Sequence, residues 1–114
     1  MADCIFCKIV QGEIPCSKVY EDDKILAFND IQPMAPVHVI LVPKKHIATL
    51  MDLDDKNMDV TSDLMSAAQK VARIKNISDS GFRTVINCNA EGGQVVFHLH
   101  IHLLGGRKLQ DPLG

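Results

Sequence analysis

Histidine alternates with aliphatic residues from His98 to Leu103, and no other feature of the chain restricts its folding so strongly. Within Gln94–Leu104, His98, His100 and His102 are interleaved with Leu99, Ile101 and Leu103. Period-two alternation predicts a half-buried β-strand over 94–104. Residues at i, i+2 and i+4 share a face, so the imidazoles line one side and the aliphatic residues the other. At ~3.3 Å rise per residue, neighbouring imidazole roots lie roughly 6.6 Å apart, near enough to converge on one small anion. Thr, Ser or Lys would solvate an outer strand face equally well. Three of the chain's five histidines in one such run call for a chemical reason.

Three readings compete: a metal site, since His-x-His pairs ligate zinc and copper; a phosphate site with a histidine nucleophile; and a solvated strand face. The preceding loop, Glu91-Gly92-Gly93-Gln94, favours the second. Paired glycines let backbone N–H groups converge on an anion, and phosphoryl transfer needs preorganised donors where charge accumulates. With reference pKa values near ~6.5, one imidazole can be neutral and nucleophilic beside a charged neighbour, and three so close titrate as a coupled set.

The rest of the chain reads as a frame for this strand. A short helix is expected over Cys4–Val10, closed by Gly12 and Pro15. Lys18–Glu21 and Lys24–Asn29 form a hairpin around Asp22-Asp23, and Pro33 and Pro36 stiffen a surface loop. His38–Pro43 is a β-branched central strand. Asp54–Lys75 carries Met58, Leu64, Met65, Ala68, Val71, Ala72 and Ile74 at helical spacing, acidic at its start and basic at its end, as the helix dipole prefers. Phe82–Asn87 is another strand. The order β-β-β-α-β-β predicts an antiparallel α+β sheet with one main helix on one face and the histidines on the other.

Composition sets outer limits. At 114 residues, 46% hydrophobic and 23% charged, the chain suits one globular domain spanning 1–114. No stretch approaches the ~18 apolar residues of a membrane span, and the N-terminus lacks the features of a signal peptide. A net charge of −2 argues against a nucleic-acid binder, not against a small nucleotide. Four cysteines, Cys4, Cys7, Cys16 and Cys88, fit a reducing, cytoplasmic setting. Cys4-Ile5-Phe6-Cys7 has the spacing of a zinc half-site; a redox pair would instead follow a strand in a βαβ unit, which is not predicted here. The alternative is a pair of buried thiols acting as small hydrophobes. Cys16 and Cys88 read as packing residues, and Lys44-Lys45 and Arg107-Lys108 as solvated surface.

His98-Leu-His-Ile-His-Leu-Leu104 resembles the signature of the histidine triad (HIT) nucleotide-binding family. The likeness extends through Asp3–Val10, Glu13-Ile14-Pro15, Glu21–Asp23, Ala27–Ile31, Pro36–His38, Val42–Ile47, Asn87, Gly92–Gln94 and Leu104–Arg107, all similar to its Hint branch. The resemblance implies the HIT fold, an antiparallel five-stranded sheet with one long helix and a short N-terminal helix. It implies a purine nucleoside phosphoramidase or nucleotide hydrolase without an organic cofactor, acting on AMP or GMP conjugates. His100 would be the nucleophile, forming a covalent nucleotidyl-histidine that water releases. His102 would contact the phosphate, and His38 and His98 would set the tautomer of His100. Asp30 would accept the ribose hydroxyls. Phe6, Ile9, Phe28, Asn29, Ile31 and Ile40 would wall the base, although singly the apolar ones read as core. Asn87, Gly93, Gln94 and the backbone of Val95 would line the phosphate and leaving-group side.

Several Hint relatives carry serine where this chain has Val95, which offers no hydroxyl to a leaving group. Some bacterial HIT proteins bind zinc through positions that correspond here to Cys4, Cys7, His46 and His98, a closed structural site. The family also implies a homodimer through the long helix and a strand, with the Met58, Leu64, Met65 stripe compatible with that and equally with packing within the chain, and a tail, Leu109–Gly114, that reaches towards the partner's site. Competing readings are a dinucleoside polyphosphate hydrolase, a nucleotide-binding or interaction module with little turnover, and a zinc-dependent regulatory module.

Overall fold

Five antiparallel strands form one sheet in the order β1-β2-β3-β5-β4, seen in a computed structural model that describes residues 4–111 and 113. Helix α1 (Ile5–Val10) precedes β1 (Lys18–Glu21), β2 (Ile25–Asn29) and β3 (Val37–Pro43). Helix α2 (Asp59–Ile74), β4 (Phe82–Val85) and β5 (Ile101–Gly105) follow a 3₁₀ turn at Leu50–Asp52. The five-stranded α+β fold with one main and one short helix is therefore as anticipated. Met1–Asp3, Pro112 and Gly114 lie outside the described residues, and with them part of the tail expected to reach a partner.

The β1–β2 hairpin closes without glycine because Asp22 supplies the turn. Its Oδ1 accepts from the N–H groups of Lys24 and Ile25, each at 2.8 Å. β2 and β3 are buried almost throughout, as central strands covered on both faces must be.

One face packs on α2: Ile25, Ala27, Val39, Leu41, Leu99, Ile101 and Leu103 meet Val60, Leu64, Ala67, Ala68, Val71 and Ala72. Each large aliphatic side chain so buried contributes ~1.5–3 kcal/mol. The other face carries a smaller cluster of Phe6, Leu26, Phe28, Ile40 and Val42 beneath α1. The even-numbered histidines belong to this second face, while Leu99, Ile101 and Leu103 serve the core.

Three elements differ by more than one residue from those read in the sequence. The strand expected over 94–104 is a ladder only from Ile101 to Gly105. β3 pairs with β5 from Val37↔Gly105 to Leu41↔Ile101 and no further, and the carbonyl of Pro43 instead meets the imidazole of His98. Helix α2 starts at Asp59 rather than Asp54, because Asp54 and Asn57 bind nearby backbone N–H groups and hold 54–58 in turns. β4 ends at Val85, opposite His102, rather than at Asn87. Leu64 is core, leaving Met58 and Met65 as the exposed members of their stripe.

Candidate functional site

Two clusters of side chains adjoin on the α1 face of the sheet, and His98 belongs to both. The first gathers Cys4, Cys7, His46 and His98, whose ligand atoms all lie within 4.8 Å of one another. Cys4 reaches it as the N-cap of α1 and Cys7 from the first turn, while His46 follows β3. Cys4 Sγ and Cys7 Sγ stand 3.3 and 3.6 Å from His98 Nδ1. His46 Nδ1 is 3.3 Å from Cys7 Sγ and 3.2 Å from His98 Nδ1. Ligands around a tetrahedral zinc at ordinary bond lengths are separated by ~3.3 Å for N–N and ~3.5 Å for N–S.

The surrounding hydrogen bonds suit a metal as well. His98 Nε2–H donates to the carbonyl of Pro43 at 2.8 Å, which turns the Nδ1 lone pair toward the thiols. The N–H of Cys7 points at Cys4 Sγ, 3.4 Å away. Burial and the neighbouring Cys4 thiol raise the pKa of Cys7, so two adjacent thiolates would need a cation between them. Donor set, spacing and surroundings fit a four-coordinate metal ion.

The second cluster holds the remaining imidazoles. The N–H of Met34 donates to His38 Nδ1 at 3.0 Å, so the proton of neutral His38 resides on Nε2. That Nε2–H donates to His102 Nδ1 at 2.9 Å, with Asp30 Oδ2 also 3.4 Å away. His102 therefore carries its proton on Nε2. His100 Nδ1–H donates to the carbonyl of His98 at 2.6 Å, which leaves a lone pair on His100 Nε2. Asp30, His38 and His102 also lie close enough to hold a metal. However, a ligating imidazole donates from its other nitrogen, whereas that of His38 accepts from Met34. This group is a hydrogen-bond relay.

Burial lowers the pKa of His98, His100 and His102; His102 is pushed down to about 4, with repulsion from His100 and His38 added. His100 is thus neutral at pH 7, a buried imidazole with an available lone pair. Phe6 stands edge-on to it, ring centroids 5.0 Å apart, and His102 packs at 4.9 Å on another side.

The expected tautomer control divides in two. His38 acts on His102, not on His100, and His98 acts on His100 through its backbone carbonyl rather than its ring. Phe6, Phe28 and Ile40 form an apolar wall beside the imidazoles, with Ile9 half-buried against it. Ile31 is 94% exposed, and Asn29 binds Ser17 Oγ. Asp30 keeps Oδ2 towards the histidines while Oδ1 accepts the N–H of Gln32. Asn87 is half-buried and Val95 is 88% exposed.

Two N–H groups of the glycine loop, read from its sequence as an anion cradle, are used within its own turn. The N–H of Gly93 bonds Ala90 O and that of Gln94 bonds Asn89 O, both at 3.0 Å. Gly93 is glycine for its φ of +86°, and Gly92 because a Cβ would stand 2.5 Å from Cys88 O. The Gln94 side chain is a buried strut: it donates to Ala48 O and Val96 O and accepts from Asn89 N–H. The N–H groups of Glu91, Gly92 and Val95 stay uncommitted among the described residues. The contributions of Pro43 and Met34 come from backbone groups, which leave no mark in residue identity.

The HIT domain family matches residues 11–109. The chain is 45% identical to the 14 kDa zinc-binding protein of Brassica juncea, across 98% of this chain and 100% of that one. It superimposes with a TM-score of 0.95 on a HIT family hydrolase from Legionella pneumophila, 49% identical, covering 98% and 100% of the two chains. A histidine triad protein from Clostridium difficile gives a TM-score of 0.96 at 52% identity, covering 98% and 97%.

Proposed function

Because the chain belongs to the HIT domain family, we propose that it is a purine nucleoside phosphoramidase or related nucleotide hydrolase working through a covalent nucleotidyl-His100. The observation that carries this reading is the buried, neutral His100, its Nδ1–H held at 2.6 Å by a carbonyl and its Nε2 lone pair available. The base lies against Phe6, Phe28 and Ile40, and the ribose hydroxyls bind Asp30. His100 Nε2 attacks the α-phosphorus, the phosphorus–nitrogen bond breaks, and the amine leaves with a proton drawn from water. Charge building on His100 strengthens its bond to the His98 carbonyl. His102 Nε2–H donates to a non-bridging oxygen, as oxyanion stabilisation requires. Water then attacks phosphorus, frees the nucleoside monophosphate and restores His100.

Cys4, Cys7, His46 and His98 would hold a zinc ion. With four protein ligands it has no open position and supplies structure alone. The similarity to a zinc-binding protein supports this assignment. Free thiols support a reducing, cytoplasmic setting. A homodimer completes the proposal, supported by the edge position of β4 and by exposed Phe82, Met58 and Met65.

Intact-protein mass spectrometry during a single turnover of an adenosine 5′-phosphoramidate tests the reading. A nucleotidyl adduct on the wild type, absent from His100→Ala together with turnover, is expected. Nucleotide binding without adduct or turnover would refute it.

A further inference from the structure

A row of paired residues crosses the α1 face of the sheet: Phe28 opposite Ile40, Ile40 opposite His102, and His102 opposite Val85. Strands are ~4.8 Å apart, so this row spans roughly 14 Å from β2 to β4. Under the reading above, on which this inference rests, the base occupies the Phe28–Ile40 end and the phosphate lies at His100 and His102. Whatever departs from phosphorus must then extend over Val85 and β4.

A cleft of about 300 Å³ opens there, and Val85 is one of its walls. Met34, whose N–H fixes His38, is another, and Leu104, two residues beyond His102 on β5, also lines it. Arg83, paired with Leu104 on β4, and Arg107 are its charged members, with no Asp or Glu among the lining residues. Both guanidinium groups are anchored by backbone oxygens: Arg83 Nη2 by Gln110 O at 2.9 Å, Arg107 Nη2 by Met34 O at 3.2 Å and Arg107 Nη1 by Lys108 O at 3.1 Å. These bonds use one of the five N–H donors of Arg83 and two of those of Arg107, and the rest remain available. Two tethered guanidiniums in a cleft whose Val85 wall pairs with His102, without an acid among its lining residues to answer them, form a preorganised anion site.

We propose that this cleft is the leaving-group subsite and that Arg83 and Arg107 select nucleotide conjugates whose leaving group carries its own anion, a carboxylate or a phosphate. A cationic leaving group is repelled there. A neutral one gains nothing from the arginines. Arg107, which in sequence reads as solvated surface, becomes a specificity determinant.

The test uses adenosine 5′-phosphoramidates of propylamine, β-alanine and 1,3-diaminopropane, with diadenosine tetraphosphate as the phosphate-bearing arm. Charge-assisted hydrogen bonds predict a kcat/KM at least about tenfold higher for an anionic leaving group than for propylamine, and lower for the diamine. Arg83→Met and Arg107→Met should each cut the anionic-to-neutral ratio several-fold, and Arg83→Lys should restore part of it. An arginine-dependent advantage confined to the β-alanine or to the tetraphosphate substrate identifies carboxylate or phosphate as the anion. Equal kcat/KM for the propylamine and both anionic substrates, with adduct formed from each, overturns the inference and leaves the hydrolase reading intact. Absence of adduct from all four substrates removes both.

Discussion

Acid should destabilise this fold first through its histidines, in a window set by His102. Its folded pKa is pushed down to about 4 by burial, then by His100 and His38, against an unfolded value near ~6.5. Between those values the unfolded chain binds the extra proton, so stability falls as pH drops from ~6.5 to ~4 and levels off below. A gap that wide corresponds to ~3 kcal/mol for a fully enclosed imidazole. Partial solvent access to His102 reduces the expectation to on the order of 2 kcal/mol. His98 and His100, also lowered, steepen the same decline. Glu21 acts in the same direction in a lower window: Lys18 and then Lys44 hold it at about 2, so its contribution is intact above ~4.5 and is lost only as pH falls below that. The assay is urea unfolding from pH 7.5 to 4.5 with chelator throughout, which keeps metal loss out of the comparison. His102→Gln keeps an acceptor for His38 and removes one titrating group, so its stability should fall less steeply by up to ~1.4 kcal/mol per pH unit. Identical slopes for wild type and variant, or a flat wild-type profile from pH 7 to 5, would refute the reasoning.

Three further outcomes are expected. Cys4→Ser combined with Cys7→Ser should abolish the zinc seen by native mass spectrometry, and chelation of the wild type should lower its Tm to a similar value. A saturating metal at a thousandfold over Kd is worth ~4 kcal/mol, and equal Tm values with and without metal would argue against a structural ion. Gln94→Leu strands Ala48 O, Val96 O and Asn89 N–H and should cost about 3 kcal/mol by urea unfolding; a loss under ~0.5 kcal/mol would mean water replaces the amide. Gly92→Ala forces its Cβ against Cys88 O and should cost ~1–3 kcal/mol, measurable as a lower Tm; an unchanged Tm would show that the loop shifts freely.

Much of this was legible in residue order. Alternation in His98–Leu103 assigned the two faces correctly because it records which side chains are buried. It overstated the strand because alternation says nothing about whether a neighbour is present to hydrogen-bond, and β3 ends its pairing with β5 at Leu41. The cysteine spacing and His46 marked a metal-sized cluster once the family resemblance supplied the missing ligands. Glycine pairing was ambiguous, since the same two residues serve a turn and a close backbone approach as readily as an anion. The tautomer chain through Met34 N–H, Pro43 O and His98 O was invisible, because any residue there would offer the same groups.

The peptide unit between His98 and Leu99 is gripped from both sides: its carbonyl meets His100, and its N–H donates to Ile47 O at 2.6 Å. The acceptor that orients His100, the proposed nucleophile, is therefore encoded by no side chain. A lineage could discard both cysteines and replace the imidazole at 98 without altering the atom that His100 depends on, provided the backbone kept its course. Alanine scanning would score position 98 only as a ligand, whereas an ester linkage to residue 99, which weakens the carbonyl as an acceptor and deletes the N–H, would expose its second role. The proposed metal site and the proposed hydrolytic centre are thus neighbours in space that evolution can uncouple.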